Sequence, residues 1–127
     1  MAVDNIQLAS VFVTDQERAL DFYVGALGME KRIDGLEEEA GRRFLVVAPP
    51  GSHLGLAIVQ SDAPDGSTSK VGGFCGIVLG TDDVATTHAE LVARGVRFLE
   101  APTEQEWGAV QALLVDPDDN ILVLHEN

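Results

Sequence analysis

The sequence predicts an α+β fold built from two copies of one strand–helix–three-strand unit. Three observations carry this reading. The stretch Gly76–Phe98 holds a short apolar run, a helix start, an amphipathic helix, a glycine stop and renewed strand character. Val11–Gly28 repeats that plan. Thr14-Asp15 and Thr81-Asp82 stand 67 residues apart, and Gly28 and Gly95 share that offset, the mark of an internal duplication.

In the second copy, Thr81, Asp82 and Asp83 offer side-chain oxygens to the open amides of a first helical turn, where negative charge also suits the dipole. Val84, His88, Leu91 and Val92 then fall on one helical face. Gly95 is the left-handed stop. In the first copy, Ile6–Val13 is a strand, and Thr14 with Glu17 reads as a capping box. Ala19, Phe22, Tyr23, Ala26 and Leu27 share a helical face that ends at Gly28.

Strands are expected at Met29–Ile33, Arg42–Ala48 and Leu54–Val59. The polar Asp34–Gly41 stretch, with Glu37-Glu38-Glu39, is a hairpin turn, and Pro49-Pro50-Gly51 breaks the chain again. Ser61–Lys70 has no apolar period and reads as a linker. After Gly73–Leu79 and the second helix come a strand at Val96–Leu99 and a loop at Ala101–Trp107. A strand at Ala109–Val115, a turn at Asp116–Asn120 and a strand at Ile121–His125 follow. The expected organisation is a single domain over residues 1–127: module 1–60, linker 61–70 and module 71–127. Neither module buries its sheet and helix alone, so the two are expected to pack together.

Hydrophobic residues make up 46% of the 127, enough for a packed interior. The formal charge is −13, from 21 acidic and 8 basic residues. Nucleic acid and anionic membranes, which need a basic footprint, are excluded as partners. The lone Cys75 allows no internal disulfide and fits a reducing compartment. No signal peptide or membrane-length apolar run is read, so the expected location is the cytoplasm.

The doubled plan is similar to that of the vicinal oxygen chelate superfamily, which holds glyoxalases, extradiol dioxygenases and the bleomycin- and fosfomycin-resistance proteins. VTDQERALDFYVGALGM near the start, DDVATTHAELVARGV in the second half and DPDDNILVL near the end carry the resemblance. It implies curved mixed sheets around a cleft, commonly completed by a second subunit, so a homodimer is expected.

Metal-dependent members carry a ligand in the first strand of each half and a Glu in the last. The resemblance puts the first-strand positions on Leu8 and Gly76 and the final Glu position on Val123. The remaining position falls on Gly55, or on Ala57 if the turn before it is longer. None of these side chains binds a divalent ion, and the neighbours Gln7 and Cys75 do not make a site. No metal and no cofactor are expected. His53, His88 and His125 lie on different kinds of element with no ligand spacing.

The remaining chemistry is sparse. No phosphate loop is present, the serines lack a paired base, and Cys75 reads as a buried apolar thiol. Leu8, Ser10 and Phe12 share a strand face, as do Phe74, Gly76 and Val78, and again Ala109, Gln111 and Leu113. The resemblance turns Leu8, Gly76 and Val123 toward the cleft, which makes its lining apolar with a few polar groups. The expected small-molecule site is Leu8, Ser10, Phe12, Phe74, Gly76, Trp107, Gln111, Val123 and His125. Trp107 stands at the cleft mouth, as a stacking ring or as a cover for the core edge. His125 shares a face with Val123 and either points into the cleft or is a terminal surface residue.

Two functions are open at this point. One is a metal-free, bleomycin-resistance-like protein that binds a small organic molecule in an apolar cleft, for resistance or sequestration. The other is a lyase, isomerase or dioxygenase of the same superfamily, using unexpected ligands or acid–base groups such as His125 or Glu104; no catalytic residue is assigned. A dimeric scaffold without ligand is a third class.

Overall fold

The computed structural model describes residues 2–37, 42–61 and 71–127. The chain divides into two compact units, Met1–Val71 and Gly72–Asn127. Each holds one four-stranded mixed sheet and one helix.

In the first unit β1 (Leu8–Val13) pairs in parallel with β4 (Gly55–Gln60). β3 (Arg42–Ala48) runs antiparallel to β4, and β2 (Glu30–Glu37) antiparallel to β3, giving the order β1-β4-β3-β2. Side chains alternate across a strand, and one face carries Val11, Val13, Leu45, Val47 and Ile58, all buried. Helix α1 (Gln16–Leu20), with its continuation Asp21–Ala26, contributes buried Ala19 and Tyr23. Gln16 ties that helix to the sheet: its buried amide donates to the Ile58 carbonyl at 2.9 Å and the Arg43 carbonyl at 3.3 Å.

In the second unit β5 (Gly73–Thr81) is parallel to β8 (Asn120–Glu126). β7 (Val110–Val115) and β6 (Arg97–Glu104) complete the order β5-β8-β7-β6. Helix α2 (Val84–Ala93) lies on one face, where the His88 and Phe98 rings meet edge-on with centroids 4.5 Å apart. Phe98 is opposite Leu114, so the same face holds Leu114, Leu122, Leu124 and Ala112, all buried.

The duplication is real, with a one-residue slip that the fixed offset hides. Asp15 and Asp83 are the N-caps, at φ −146° and −145°. Asp15 accepts from the Glu17 and Arg18 amides, so Asp15 and not Thr14 is the cap. Asp83 accepts from the Thr86 amide, which holds its carboxyl below the usual carboxylate range. Thirteen residues separate Asp15 from Gly28, but twelve separate Asp83 from Gly95. The extra residue is absorbed by a π-helical turn over Asp21–Ala26. The Gly95 and Val96 amides reach back three and five residues, to Val92 and Leu91. Those of Gly28 and Met29 reach four and six, to Val24 and Tyr23.

Other boundaries move. The strand expected at Met29–Ile33 runs on through Glu37, into the predicted turn. β6 runs through Glu104, where a loop was expected from Ala101; Pro102 is tolerated because β6 is an edge strand. Ala109 precedes β7 rather than belonging to it. Glu38, Glu39 and the linker beyond Ser61 lie outside the described residues. Among the described residues, no helix is long and apolar enough to cross a membrane.

Candidate functional site

Helix α2 covers one face of the second sheet; the other face is built by alternation. Across β7 and β8 the register pairs Gln111 with His125, Leu113 with Val123 and Val115 with Ile121. On β5, Phe74 pairs with Ile121 and Val78 with Val123. On β6, Thr103 pairs with Gln111. This second face therefore carries Phe74, Val78, Ile121, Val123, Leu113 and Val115, of which Val115 and Val123 are buried, with Glu100 opposite Leu113 and Arg97 opposite Val115 along its β6 edge. Phe74 is 68% exposed and Val78 59%.

A polar row, Thr103–Gln111–His125, crosses this face at one end. Among the described residues, no hydrogen bond engages the Gln111 amide group or the His125 ring, and both residues are half-buried. Trp107, 68% exposed, sits in the β6–β7 hairpin beyond that row. The hairpin is closed by the Gln105 amide donating to the Ala109 carbonyl at 2.7 Å. One end of the face can thus exchange hydrogen bonds, its middle strands present hydrocarbon, and its β6 edge carries Glu100 and Arg97.

In the second unit, then, Phe74, Gln111, Val123 and His125 come to one face, with Trp107 at its end. Gly76 does not join the ladder. It sits at φ 77° inside a bulge between Phe74 and Val78 and has no partner on β8. Glu104 is in register with Val110, on the parity of Ala112 and Leu114, so it does not share a face with His125. Val78 and Leu113, read on these strand faces, were left out of the site; Thr103, Val115 and Ile121 were missed, since reading Ala101–Trp107 as a loop hid Thr103 and the unbroken apolar runs at the ends of β7 and β8 gave Val115 and Ile121 no contrast.

In the first unit Leu8, Ser10 and Phe12 share the face opposite Val11 and Val13. Gly55, Ala57, Phe44 and Val46 lie on it too. Register settles which residue matches Val123. Ser10 stands five residues before cap Asp15 and pairs with Ala57; Val78 stands five before cap Asp83 and pairs with Val123. Ala57, not Gly55, is the counterpart of Val123.

Of the positions that sequence counting gives to metal ligands, Leu8 and Ala57 lie on the first unit's sheet, Val123 on the second's and Gly76 in the bulge, and none of these side chains offers a donor atom. Among the described residues, no group of three or more His, Cys, Asp and Glu side chains is placed to hold a metal ion. Leu8, Ala57, Gly76 and Val123 do not suit a divalent metal. Cys75 is also unsuited to nucleophilic work: burial pushes its thiol pKa up, and its Sγ donates to the Ile121 carbonyl at 3.2 Å.

Residues 5–124 match the model of the Glyoxalase/Bleomycin resistance protein/Dioxygenase superfamily. The chain belongs to that superfamily. A superfamily member from Sphaerobacter thermophilus DSM 20745 superposes with a TM-score of 0.91 at 38% identity, over 100% of both chains. TnmS3, an antibiotic binding protein from Streptomyces sp. CB03234, gives 0.83 at 36% identity, over 99% of this chain and 98% of its own. The uncharacterized protein YetH of Bacillus subtilis (strain 168) is 30% identical over 125 residues, 98% of this chain and 99% of YetH. Fold alone does not decide chemistry, which depends on the side chains that the sheets present.

Proposed function

We propose that this superfamily member binds a small organic molecule in an apolar cleft, without a metal, and sequesters it, as a resistance protein would. The observation that carries the reading is the face of β5–β8 away from α2: hydrocarbon along Phe74, Val78, Ile121 and Val123, with the polar Gln111 and His125 at one end. That is the make-up of a ligand site, a mostly apolar lining with few orienting polar groups. Likeness to an antibiotic binding protein over nearly the whole chain supports it. In this reading Leu8, Ser10 and Phe12 also contact the ligand, residues 1–127 act as a single domain, and the active form is a cytoplasmic homodimer.

Trp107 is the reporter. A stacked ligand excludes water from the indole, and an aromatic pair contributes on the order of 1 kcal/mol beyond area burial. The test is a fluorescence screen of small natural products against the protein, Trp107→Ala and Gln111→Ala, with the variants read by ligand emission or calorimetry. Trp107→Ala is expected to weaken the best binders about tenfold, since a further 1.4 kcal/mol is a factor of ten. Binders that keep their affinity without Trp107 would sink its assignment to the site. Sedimentation equilibrium tests the dimer, and a monomer at micromolar concentration overturns it.

A further inference from the structure

We infer that the bulge at Gly76 moves Phe74 into the place a chelating side chain would take, so that aromatic contact replaces chelation in the second unit. The strand register fixes this placement whatever the face binds.

In the first unit the β1–β4 ladder is unbroken, and each residue from Leu8 to Val13 has a partner from Gly55 to Gln60. Leu8, the family's first-strand ligand position, faces Gly55 and is diagonal to Ala57. Its side chain lies across the glycine. A Cβ on Gly55 would stand 3.0 Å from Leu8 Cδ2 and 2.8 Å from Val46 Cγ1. The glycine gives the leucine room to lie flat.

The second unit keeps the same diagonal but fills it differently. Ala57 corresponds to Val123, so Gly55 corresponds to Ile121. Ile121 pairs with Phe74, not with Gly76. Between the pairs Phe74–Ile121 and Val78–Val123, β8 advances two residues and β5 advances four. The surplus is taken up in Cys75-Gly76-Ile77, where Gly76 adopts the left-handed backbone that suits a residue without a Cβ. Cys75 donates its thiol to the Ile121 carbonyl within the interruption.

Leu8 and Phe74 are therefore structural equivalents: a large apolar group on each first strand, diagonal to Ala57 and Val123. Sequence counting lands on Gly76 because it assumes an unbroken strand. The geometry makes Phe74 a ligand-contact residue; that last step alone rests on the small-molecule reading.

Two measurements separate the claims. Phe74→His with Val123→Glu is compared with Gly76→His with Val123→Glu, following melting temperature as Ni2+ is added, since an ion bound only by the folded state raises it. The Phe74→His pair is expected to rise with nickel and the Gly76→His pair to stay flat. Equal responses, or a larger one from the Gly76→His pair, overturn the register argument. The second arm uses the neutral dye N-phenyl-1-naphthylamine on the otherwise unaltered protein, on Phe74→Leu and on Phe74→Ala. Affinity is expected to fall at least tenfold in Phe74→Ala and less in Phe74→Leu. A dye held by the parent protein with the same affinity in Phe74→Ala overturns the contact role and leaves the small-molecule reading standing. A dye that the parent does not bind counts against both.

Discussion

Arg43 grips Asp34 with two parallel hydrogen bonds, Nε to Oδ1 and Nη2 to Oδ2, each 2.7 Å. The pair joins adjacent strands β2 and β3; Arg43 also reaches Glu17 on α1, and Lys31 adds a 3.0 Å contact to Asp34. Bidentate guanidinium–carboxylate pairing is the strong form of this interaction. The Arg43 guanidinium, then Lys31, hold the Asp34 carboxyl well below its ordinary value of 3.8.

A carboxylate with a depressed folded-state pKa contributes stability above its unfolded pKa, and that contribution is lost as pH falls toward the folded value. Melting curves between pH 7 and pH 2 should show the protein losing an increment of stability below about pH 4 that Asp34→Asn lacks. Parallel pH profiles for the two would refute the assignment.

Gln16→Ala should destabilise the first unit by about 1–3 kcal/mol, because it strips a donor from the Ile58 carbonyl and from that of Arg43. Urea unfolding measures this. Gln16→Glu should be worse, since it presents an acceptor to two acceptors in a buried place.

Asp116 organises the turn before β8. Its carboxylate accepts from the Asp118 amide at 2.9 Å, the Asn120 amide at 2.9 Å and the Asn120 side chain at 2.8 Å. Asn120 in turn accepts from the Gly72 amide at 2.7 Å. Both side chains are buried. Asp116→Ala should cost about 3 kcal/mol, as charge-assisted bonds are worth about twice neutral ones and their loss leaves buried donors unpaired. A loss under 1 kcal/mol in chemical denaturation would contradict this.

Trp107→Ala should leave stability within about 0.5 kcal/mol of the parent, because Trp107 is largely exposed on a hairpin. A larger loss would assign Trp107 to packing.

What could be read in the sequence and what could not divide along physical lines. The repeat was legible because Gly28 and Gly95 mark helix ends whose left-handed backbone, φ 80° and 87°, selects glycine. Caps were placed to within a residue, since Thr14 and Asp15 are both good capping types and only geometry separates them. The π turn was not legible: Asp21–Ala26 looks like any amphipathic turn, and its wider hydrogen bonds leave no mark on composition. β6 was cut short at Ala101 because Pro102 suits a loop as well as an edge strand. The Gly76 bulge escaped for a related reason. Alternation predicts faces only while a ladder stays in register, and nothing in FCGIV announces a slip. Polar Gln111 and His125 stood out from their strands; the apolar residues beside them carry no label of direction.

The placement of the fourth strand has a consequence for the nascent chain. β4 lies between β1 and β3, and β8 between β5 and β7. A strand order of this kind leaves β1 without a hydrogen-bonded neighbour until residues 55–60 have been made, and β5 until residues 120–126 have. The hairpins β2–β3 and β6–β7 join neighbours and can form early, but each parallel pairing closes a loop of more than forty residues. Such distant pairings are slow because loop entropy is lost before contacts repay it. On the ribosome the leading strand of each unit must therefore wait, unpaired, with Val11 and Val13 or Leu79 uncovered, and this interval is where the growing polypeptide is most exposed to association with its neighbours.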